Sequence, residues 1–325
     1  MSVSTHVKLL LKILFSATAF VWLALRIDWA AWSHNLAGLN LGLFGLSLII
    51  FFLTILPCSL RWHFITAACG FPIGFGEAMR YYLIGNFFNA FLPTARGGDL
   101  ARGVLASKEN RFRLGGVIGS ILIERIVGLV TAMVFVLLTG IHLFSRRPVL
   151  KPIILSALVV FALASFVLLS AAHSRVRRFG LTELKKIPFR VLRDAADDIV
   201  AVFAVFLRQP RLVAWTLVLT LVNQLILVAS GFLAGAAIPG FRVPATAFFF
   251  VIPLSFFAAI LPSVGGFGIR EAGYVLFWSW FAVPGELGGL YAFAQFVFFT
   301  VSALLGTLVF VFTRSRANRP LSPAA

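Results

Sequence analysis

The chain has 325 residues, of which 60% are apolar and only 12% charged, and its mean hydropathy is +1.00. Soluble domains carry about a quarter charged residues, so a soluble fold could not cover this much apolar surface, and an integral membrane protein is implied. The net charge of +17 does not mark a nucleic-acid binder, because the basic residues lie in loops between apolar runs, where they orient the protein and attract anionic lipid.

A spanning helix needs about 20 mainly apolar residues. In chain order the candidate runs are 8–25, 41–60, 114–143, 152–171, 211–235, 243–262 and 286–313, while 76–93 and 271–283 are apolar but short or interrupted. An all-α polytopic bundle of seven or eight spans is therefore expected, as one transmembrane domain over 1–319 followed by a disordered tail at 320–325. Lys8 and Lys12 give the first run the basic flank of a signal peptide. It lacks a small-x-small cleavage site and runs into Arg26 and Asp28, so an uncleaved first span is expected. Nine Lys/Arg fall in 173–211, five in 94–113 and three after the last run. Placing these inside, with Lys8 and Lys12, follows the positive-inside tendency and puts the N-terminus in the cytoplasm. Arg146, Arg147 and Lys151 oppose it. A C-terminus on the same side needs an even number of crossings, so one short run must cross. Asp194, Asp197 and Asp198 interrupt a helical pattern suited to the membrane interface.

Two distant stretches match. Residues 87–102 read FFNAFLPTARGGDLAR and 256–270 read FFAAILPSVGGFGIR. One gap aligns Pro93 with Pro262, Gly97 with Gly265, Gly98 with Gly266 and Arg102 with Arg270. Leu-Gly-Gly then opens a long run in each case, at Leu114 and Leu287. A duplication is expected, with one half at 41–143, the other at 211–313, and the basic connection 173–210 between them. Proline removes a backbone donor and paired glycines admit non-helical conformations, so each motif should break a helix. Broken backbone at membrane depth is tolerated only inside protein or beside a water-filled cavity. Interruptions at matching positions of two halves point to a transporter's binding site. Tight loops at the membrane surface are the plainer alternative.

Three segments carry a family resemblance: GNFFNAFLPTARGGDLAR at 85–102, IERIVGL at 123–129 and LPSVGGFGIRE at 261–271. Together they resemble the transmembrane domain of lysylphosphatidylglycerol synthases and its stand-alone, flippase-like relatives. The resemblance implies re-entrant segments in a cell (inner) membrane protein and movement of lipids between leaflets. The full synthases append a soluble aminoacyl-transfer domain, and nothing after Phe312 resembles one, so lysyl-lipid synthesis is not expected. The lipid substrate does not carry over.

Ionisable residues at the bilayer centre cost roughly 2.5–3.5 kcal/mol each, so each needs a reason. Glu124 and Arg125 lie within the 114–143 run. Neighbours in sequence point about 100° apart on a helix; partners elsewhere are expected, Arg102 or Arg270 for Glu124 and Asp99 or Glu271 for Arg125. A structural ion pair and a substrate or proton role both fit. Tyr82, Asn86 and Asn89 form an i, i+4, i+7 stripe leading to Pro93, suited to a cavity wall or to interhelical bonding. Asn223 and Gln224 suit interhelical bonding, and Arg61 and Arg80 read as interfacial anchors. Cys58 and Cys69 and the five His match no metal or redox spacing, and no P-loop or hydrolase signature occurs. No metal, cofactor or catalytic residue is expected.

The favoured reading is a lipid translocase. Amides at Gly97, Gly98, Gly265 and Gly266 would form an anion nest, and Arg102, Arg270, Arg96 and Arg125 would bind a lipid phosphate. Asn86 and Asn89 would line the path, and Asp99, Glu124 and Glu271 would balance charge or relay protons. Two other readings are an embedded enzyme using Glu124 and Glu271 as acid and base, and a non-catalytic partner whose 173–211 segment recruits a separate lipid-modifying enzyme. Product formed from labelled lipid would favour the former, and abolition of function by neutralising that segment the latter.

Overall fold

The computed structural model describes residues 29–91, 97–144, 150–172, 190–258 and 268–317, and the regular elements among them are α-helices. The first are α1 (Trp29–Ala37), α2 (Leu41–Leu53), α3 (Ile55–Ala68), α4 (Phe75–Phe91), α5 (Gly97–Asn110) and α6 (Leu114–Phe144). There follow α7 (Lys151–Ala172), α8 (Arg190–Leu207), α9 (Pro210–Ala236), α10 (Ala245–Ala258), α11 (Ile269–Ser279) and α12 (Gly285–Ala317). The expected first span at 8–25 and the tail at 320–325 lie outside the described residues.

Local chemistry sets several of these boundaries. The Asn40 side chain accepts from the Leu43 N–H at 3.0 Å and starts α2, as an N-cap should. Pro57 has no N–H to give the Leu53 carbonyl, and the helix steps at Thr54 between α2 and α3. Pro210 opens α9 at a first-turn position, where its missing N–H costs nothing.

Four described helical segments are long and apolar enough to cross a membrane: Leu41–Ala68, Leu114–Leu143, Pro210–Ala236 and Gly285–Thr313. The 22-residue α7 reaches about 33 Å at 1.5 Å per residue. Two helical hairpins complete the set. In the first, α4 and α5 run antiparallel, with Tyr81 against Glu109 and Gly85 against Gly98. In the second, α10 and α11 do the same, with Phe248 against Trp278 and Ser255 against Tyr274. Their legs are 17, 14, 14 and 11 residues long, or about 25, 21, 21 and 17 Å. A hydrocarbon core is about 30 Å thick, so each hairpin enters and returns. The run at 243–262 is thus a hairpin leg ending at Ala258, not a full span, because 269–279 folds back along it. Pro93, Arg96, Pro262, Gly265 and Gly266 lie outside the described residues.

Antiparallel packing of α2–α3 on α9 aligns the structure vertically: Asn40 meets Ala237, Ser47 meets Ser230, and Arg61 meets Thr220. One face therefore carries 69–74, 108–116 and 208–211, with Phe71 against Phe112. The opposite face carries the ends of α1, α6, α9 and α11. The first hairpin opens from the former and the second from the latter. Each hairpin also leans on the long helix that follows the other one. Asn86 on α4 donates to Ser302 on α12 at 2.8 Å, and Phe249 on α10 stacks on Phe135 of α6 at 5.7 Å.

Two glycines make these contacts close. A Cβ at Gly98 would sit 1.9 Å from the Gly85 carbonyl oxygen, and one at Gly306 2.0 Å from that of Leu83. We predict that Gly98→Ala and Gly306→Ala each destabilise the protein by about 1–3 kcal/mol through forced backbone separation. Gly45→Ala, with nothing within 4 Å, should be neutral or better. Thermal unfolding in detergent micelles measures all three.

Candidate functional site

A carboxylate with three donors stands at the centre of the bundle. Glu124 lies about ten residues into α6 and is only 2% exposed. Its Oε1 accepts from Arg61 Nε at 3.0 Å and from the Tyr82 hydroxyl at 2.6 Å. Its Oε2 accepts from Arg102 Nη2 at 2.8 Å. Four helices supply these groups: α3 brings Arg61, α4 Tyr82, α5 Arg102 and α6 Glu124.

Around this core the remaining donors are distributed unevenly. Arg61, 7% exposed, spends Nη1 on the Thr220 hydroxyl of α9 at 2.7 Å. Arg102, 1% exposed, places Nε 3.4 Å from Asp99, while its Nη1 has no hydrogen-bond partner among the described residues. The guanidinium instead lies over the Tyr82 ring at 4.0 Å and the Trp62 ring at 4.7 Å, contacts worth about 2 kcal/mol or more when desolvated. Trp62 is fixed in turn by its indole N–H on the Ser120 hydroxyl at 2.9 Å. Arg125, whose side chain is 42% exposed, pairs with Asp99.

The cluster borders a cavity of about 500 Å³ between α3, α4, α6 and α9. Arg61, Tyr82, Glu124 and Arg125 form its charged wall, Thr220, Asn223 and Gln224 its polar wall, and Leu122, Ile126, Leu129 and Leu227 its apolar lining. Cys58 contributes a thiol that donates to Asn223 at 3.3 Å. Such a mixed space suits an amphiphile. Among the described residues no group of His, Cys, Asp and Glu could hold a metal ion.

The structure brings some of the sequence-selected residues together and separates others. Arg102 and Glu124 pair, as do Arg125 and Asp99, each as one of the two alternatives the sequence left open. Tyr82 joins the cluster, whereas Asn86 bonds across to Ser302 and Asn89 accepts the Gly98 N–H at 2.9 Å. That last contact caps α5, where Gly97 and Gly98 are buried. Arg270 stands apart: its Nε and Nη2 reach Glu271 at 3.1 and 2.7 Å, and its guanidinium lies 3.8 Å from the Phe299 ring centre. Glu271 also reaches back to the N–H of Gly268 at 2.7 Å, where the backbone turns through φ +80° that only glycine adopts readily. The described legs of the two hairpins share no direct packing; α12 touches both. Arg96, Gly265 and Gly266 cannot be placed, lying outside the described residues.

Arg61 is a correction. It reads as an interfacial anchor only if the span ends near residue 60, but the helix continues to Ala68 and carries Arg61 two turns deeper. Arg80 keeps a surface position and pairs with Glu109. Thr220 and Cys58 gave no sequence signal, since a Thr or Cys in an apolar run is ordinary.

The family model of the lysylphosphatidylglycerol synthase TM region matches residues 9–313. The chain belongs to that family. It is also similar to a UPF0104 membrane protein of Methanocaldococcus jannaschii, 26% identical over 143 residues, which is 43% of this chain and 43% of that protein. Membership of the lysylphosphatidylglycerol synthase TM family, with the apolar spans, makes this a multi-pass membrane protein of a lipid-associated group. The buried cluster in this family member yields a stability test. Glu124→Ala leaves Arg61 and Arg102 buried without their carboxylate, and the loss of one buried partner costs about 3–5 kcal/mol. Replacing all three charges together (Arg61→Met, Arg102→Met and Glu124→Leu) should recover most of that loss in detergent thermal unfolding.

Proposed function

We propose that the protein is a lipid translocase that moves a phosphate-bearing head group between leaflets through the polar cavity beside Glu124, while acyl chains remain in lipid. The observation that carries this reading is the cavity itself. The buried Arg61 guanidinium, the more exposed Arg125 and a hydrocarbon lining border one space, in a chain whose family is named for a lipid-modifying synthase. An anionic head group would exchange water for Arg61 and Arg125, whose charge-assisted bonds are stronger than neutral ones.

The helix order supports a duplicated architecture. A long span, a hairpin and a second long span occur at 41–144 and again at 210–317. The first span runs in opposite directions in the two halves, and the hairpins open from opposite faces. This is the arrangement of an inverted repeat, the usual frame for alternating access. We assign the first face to the cytoplasm. Among the described residues it carries Lys108, Arg111, Arg113, Arg193, Arg208 and Arg211, against Lys151 and Arg242 opposite, as the positive-inside tendency requires. With the hairpins returning to their own sides, an uncleaved first span at 8–25 would put both termini in the cytoplasm of an inner-membrane protein. Arg270 and Glu271 then belong to the second hairpin, whose described legs share no packing with those of the first, so the phosphate path would be a one-sided feature of the first half.

Reconstituted vesicles carrying a fluorescent phospholipid, read with a membrane-impermeant reductant, test the proposal. Wild-type protein should expose inner-leaflet label. Arg61→Gln and Arg125→Gln should slow exposure by about tenfold or more, since a hydrogen bond to a charged group contributes about 1.5–3 kcal/mol. Arg80→Gln, altering an exposed pair, should not change the rate. Unchanged flipping by folded Arg61→Gln, Arg125→Gln double variant would overturn the assignment of the path.

A further inference from the structure

We propose that α8 is a movable floor, which closes the cavity beside Glu124 on the cytoplasmic face and withdraws to open it to that side. The proposal rests on the translocase reading and names the element that controls access to its site. Three observations lead to it.

Position comes first. Counted from the face assigned to the cytoplasm, the cavity lining begins at Arg61 on α3, Tyr82 on α4, Leu122 on α6 and Thr220 on α9. Between these residues and that face lies an apolar layer that includes Ile65, Phe71 and Ile121. α8 supplies Val202, Phe203 and Phe206 to the layer, each less than a tenth exposed, and Leu212 and Val213 of α9 pack against it. α8 therefore rests on α3, α6 and α9 together, bridging three of the four walls.

The second observation is attachment. Glu124 ties α3, α4, α5 and α6 together, and Arg61 adds α9 through Thr220. α8 contributes no side chain to that network. Its described polar fastenings are an ion pair of Asp198 with Arg113 at 3.0 Å, where the Arg113 side chain is 73% exposed, and the Cys69 thiol donating to the Val202 carbonyl at 3.9 Å. An ion pair so open to water contributes little, and a thiol is a weak donor. Against α6 the contact is smooth. A Cβ at Gly115 would fall 2.8 Å from the Ala195 carbonyl oxygen, and one at Gly119 3.1 Å from the Ile199 Cα. At these crossings α6 has no side chain to interlock with α8.

The third observation is that α8 has somewhere to go. It joins α9 through Arg208 and Gln209 alone, and Gln209 leaves helical geometry at φ −111° and ψ 85°, a place for a hinge. Ile199, Val202, Phe203 and Phe206 recur at i, i+3, i+4 and i+7 on one face, while Arg193, Asp194, Asp197 and Asp198 crowd the first half of the helix. A helix of this kind lies stably in the head-group boundary. Its apolar face, withdrawn from the bundle, enters lipid rather than water, so opening forfeits packing but not hydrophobic burial.

Cys58 lines the cavity and reports access to it. In inverted membrane vesicles, whose cytoplasmic face is outward, a membrane-impermeant anionic thiol reagent should label Cys58, with the modified peptide measured by mass spectrometry. Val202→Cys places a second thiol beside Cys69. Oxidation with copper phenanthroline should link the pair and drop Cys58 labelling to background, and reduction followed by removal of the reductant should restore it. The same treatment with Val202 intact controls for oxidation of Cys58 itself. Asp198→Asn in a Cys69→Ser background should speed labelling by up to about fivefold, the range of an exposed ion pair, and exchanging the charges (Arg113→Asp with Asp198→Arg) should return it to the starting rate. Absence of the link would overturn the placement of α8. Cys58 that labels equally fast in linked and reduced protein, or in no form at all, would overturn the floor as a gate. Lipid flipping that continues in linked vesicles would remove α8 from the transport path and leave the translocase reading intact. Gated labelling in a protein that never flips lipid would do the reverse.

Discussion

A carboxylate buried to 2% exposure inside a membrane bundle must find most of its partners in the chain. Glu124 finds them on three other helices, and this requirement ties α3, α4, α5 and α6 into a single arrangement. None of the four could shift by a turn without exposing a buried charge. Burying an ion pair is a poor source of net stability, because desolvation offsets most of the Coulomb gain. Breaking one is costly, however, so the cluster specifies one packing more than it strengthens it. The hydrogen-bonded Tyr82 and the ring faces of Tyr82 and Trp62 serve the same end by giving the Arg102 guanidinium neighbours where an acceptor is lacking.

The fold shows what paired breaks accomplish. A full span satisfies its own backbone and meets its neighbours with side chains. A hairpin that turns within the membrane delivers two helix ends, and with them polar residues, to a depth where no loop could otherwise lie. Close backbone approach at Gly85–Gly98 and at Leu83–Gly306 makes the first hairpin thin enough to fit between α6 and α12. Small residues at such crossings are the ordinary means of helix association in lipid, where no hydrophobic drive exists between helices. Arg102 owes its position to that thinness, since it follows Gly98 by one turn on the same leg.

How far the sequence could be read depended on the range of the information. Composition and run length identified an all-helical membrane protein, because those signals are local and the bilayer imposes a fixed length. The Pro–Gly-Gly match pointed to both hairpins before either was placed, and the choice of partners for Glu124 and Arg125 was narrowed to two each by charge alone. What failed was depth. Arg61 was assigned to the interface because the apolar run thins out near residue 60, whereas Trp62, Phe64 and Ile65 carry the helix on and the arginine's partner is 63 residues away. The equivalence of Arg102 and Arg270 was likewise legible as a pattern but not as geometry. Their flanking residues differ: Asp99 stands one turn before Arg102, while Glu271 follows Arg270 directly and captures it. Thr220 and Cys58 carry no signal in an apolar run, Gln224 reads only as a group for interhelical bonding, and only the antiparallel packing of α9 on α3 brings them to the cavity.

That contrast between the two arginines bears on how a translocase could work. If both halves held equivalent phosphate sites, a head group would rest equally well on either side and the two states would have similar affinity. Here the first half collects three guanidinium groups around Glu124 and Asp99, and the second pairs Arg270 with Glu271 beside Phe299. A carrier gains direction from unequal affinity in its two states only when coupled to an energy source, but it gains selectivity from one well-defined site regardless. On the translocase proposal, this asymmetry would place head-group recognition in the first half, where the guanidinium groups border the cavity, and would leave the second hairpin, held at Gly268 by Glu271, outside the recognition site.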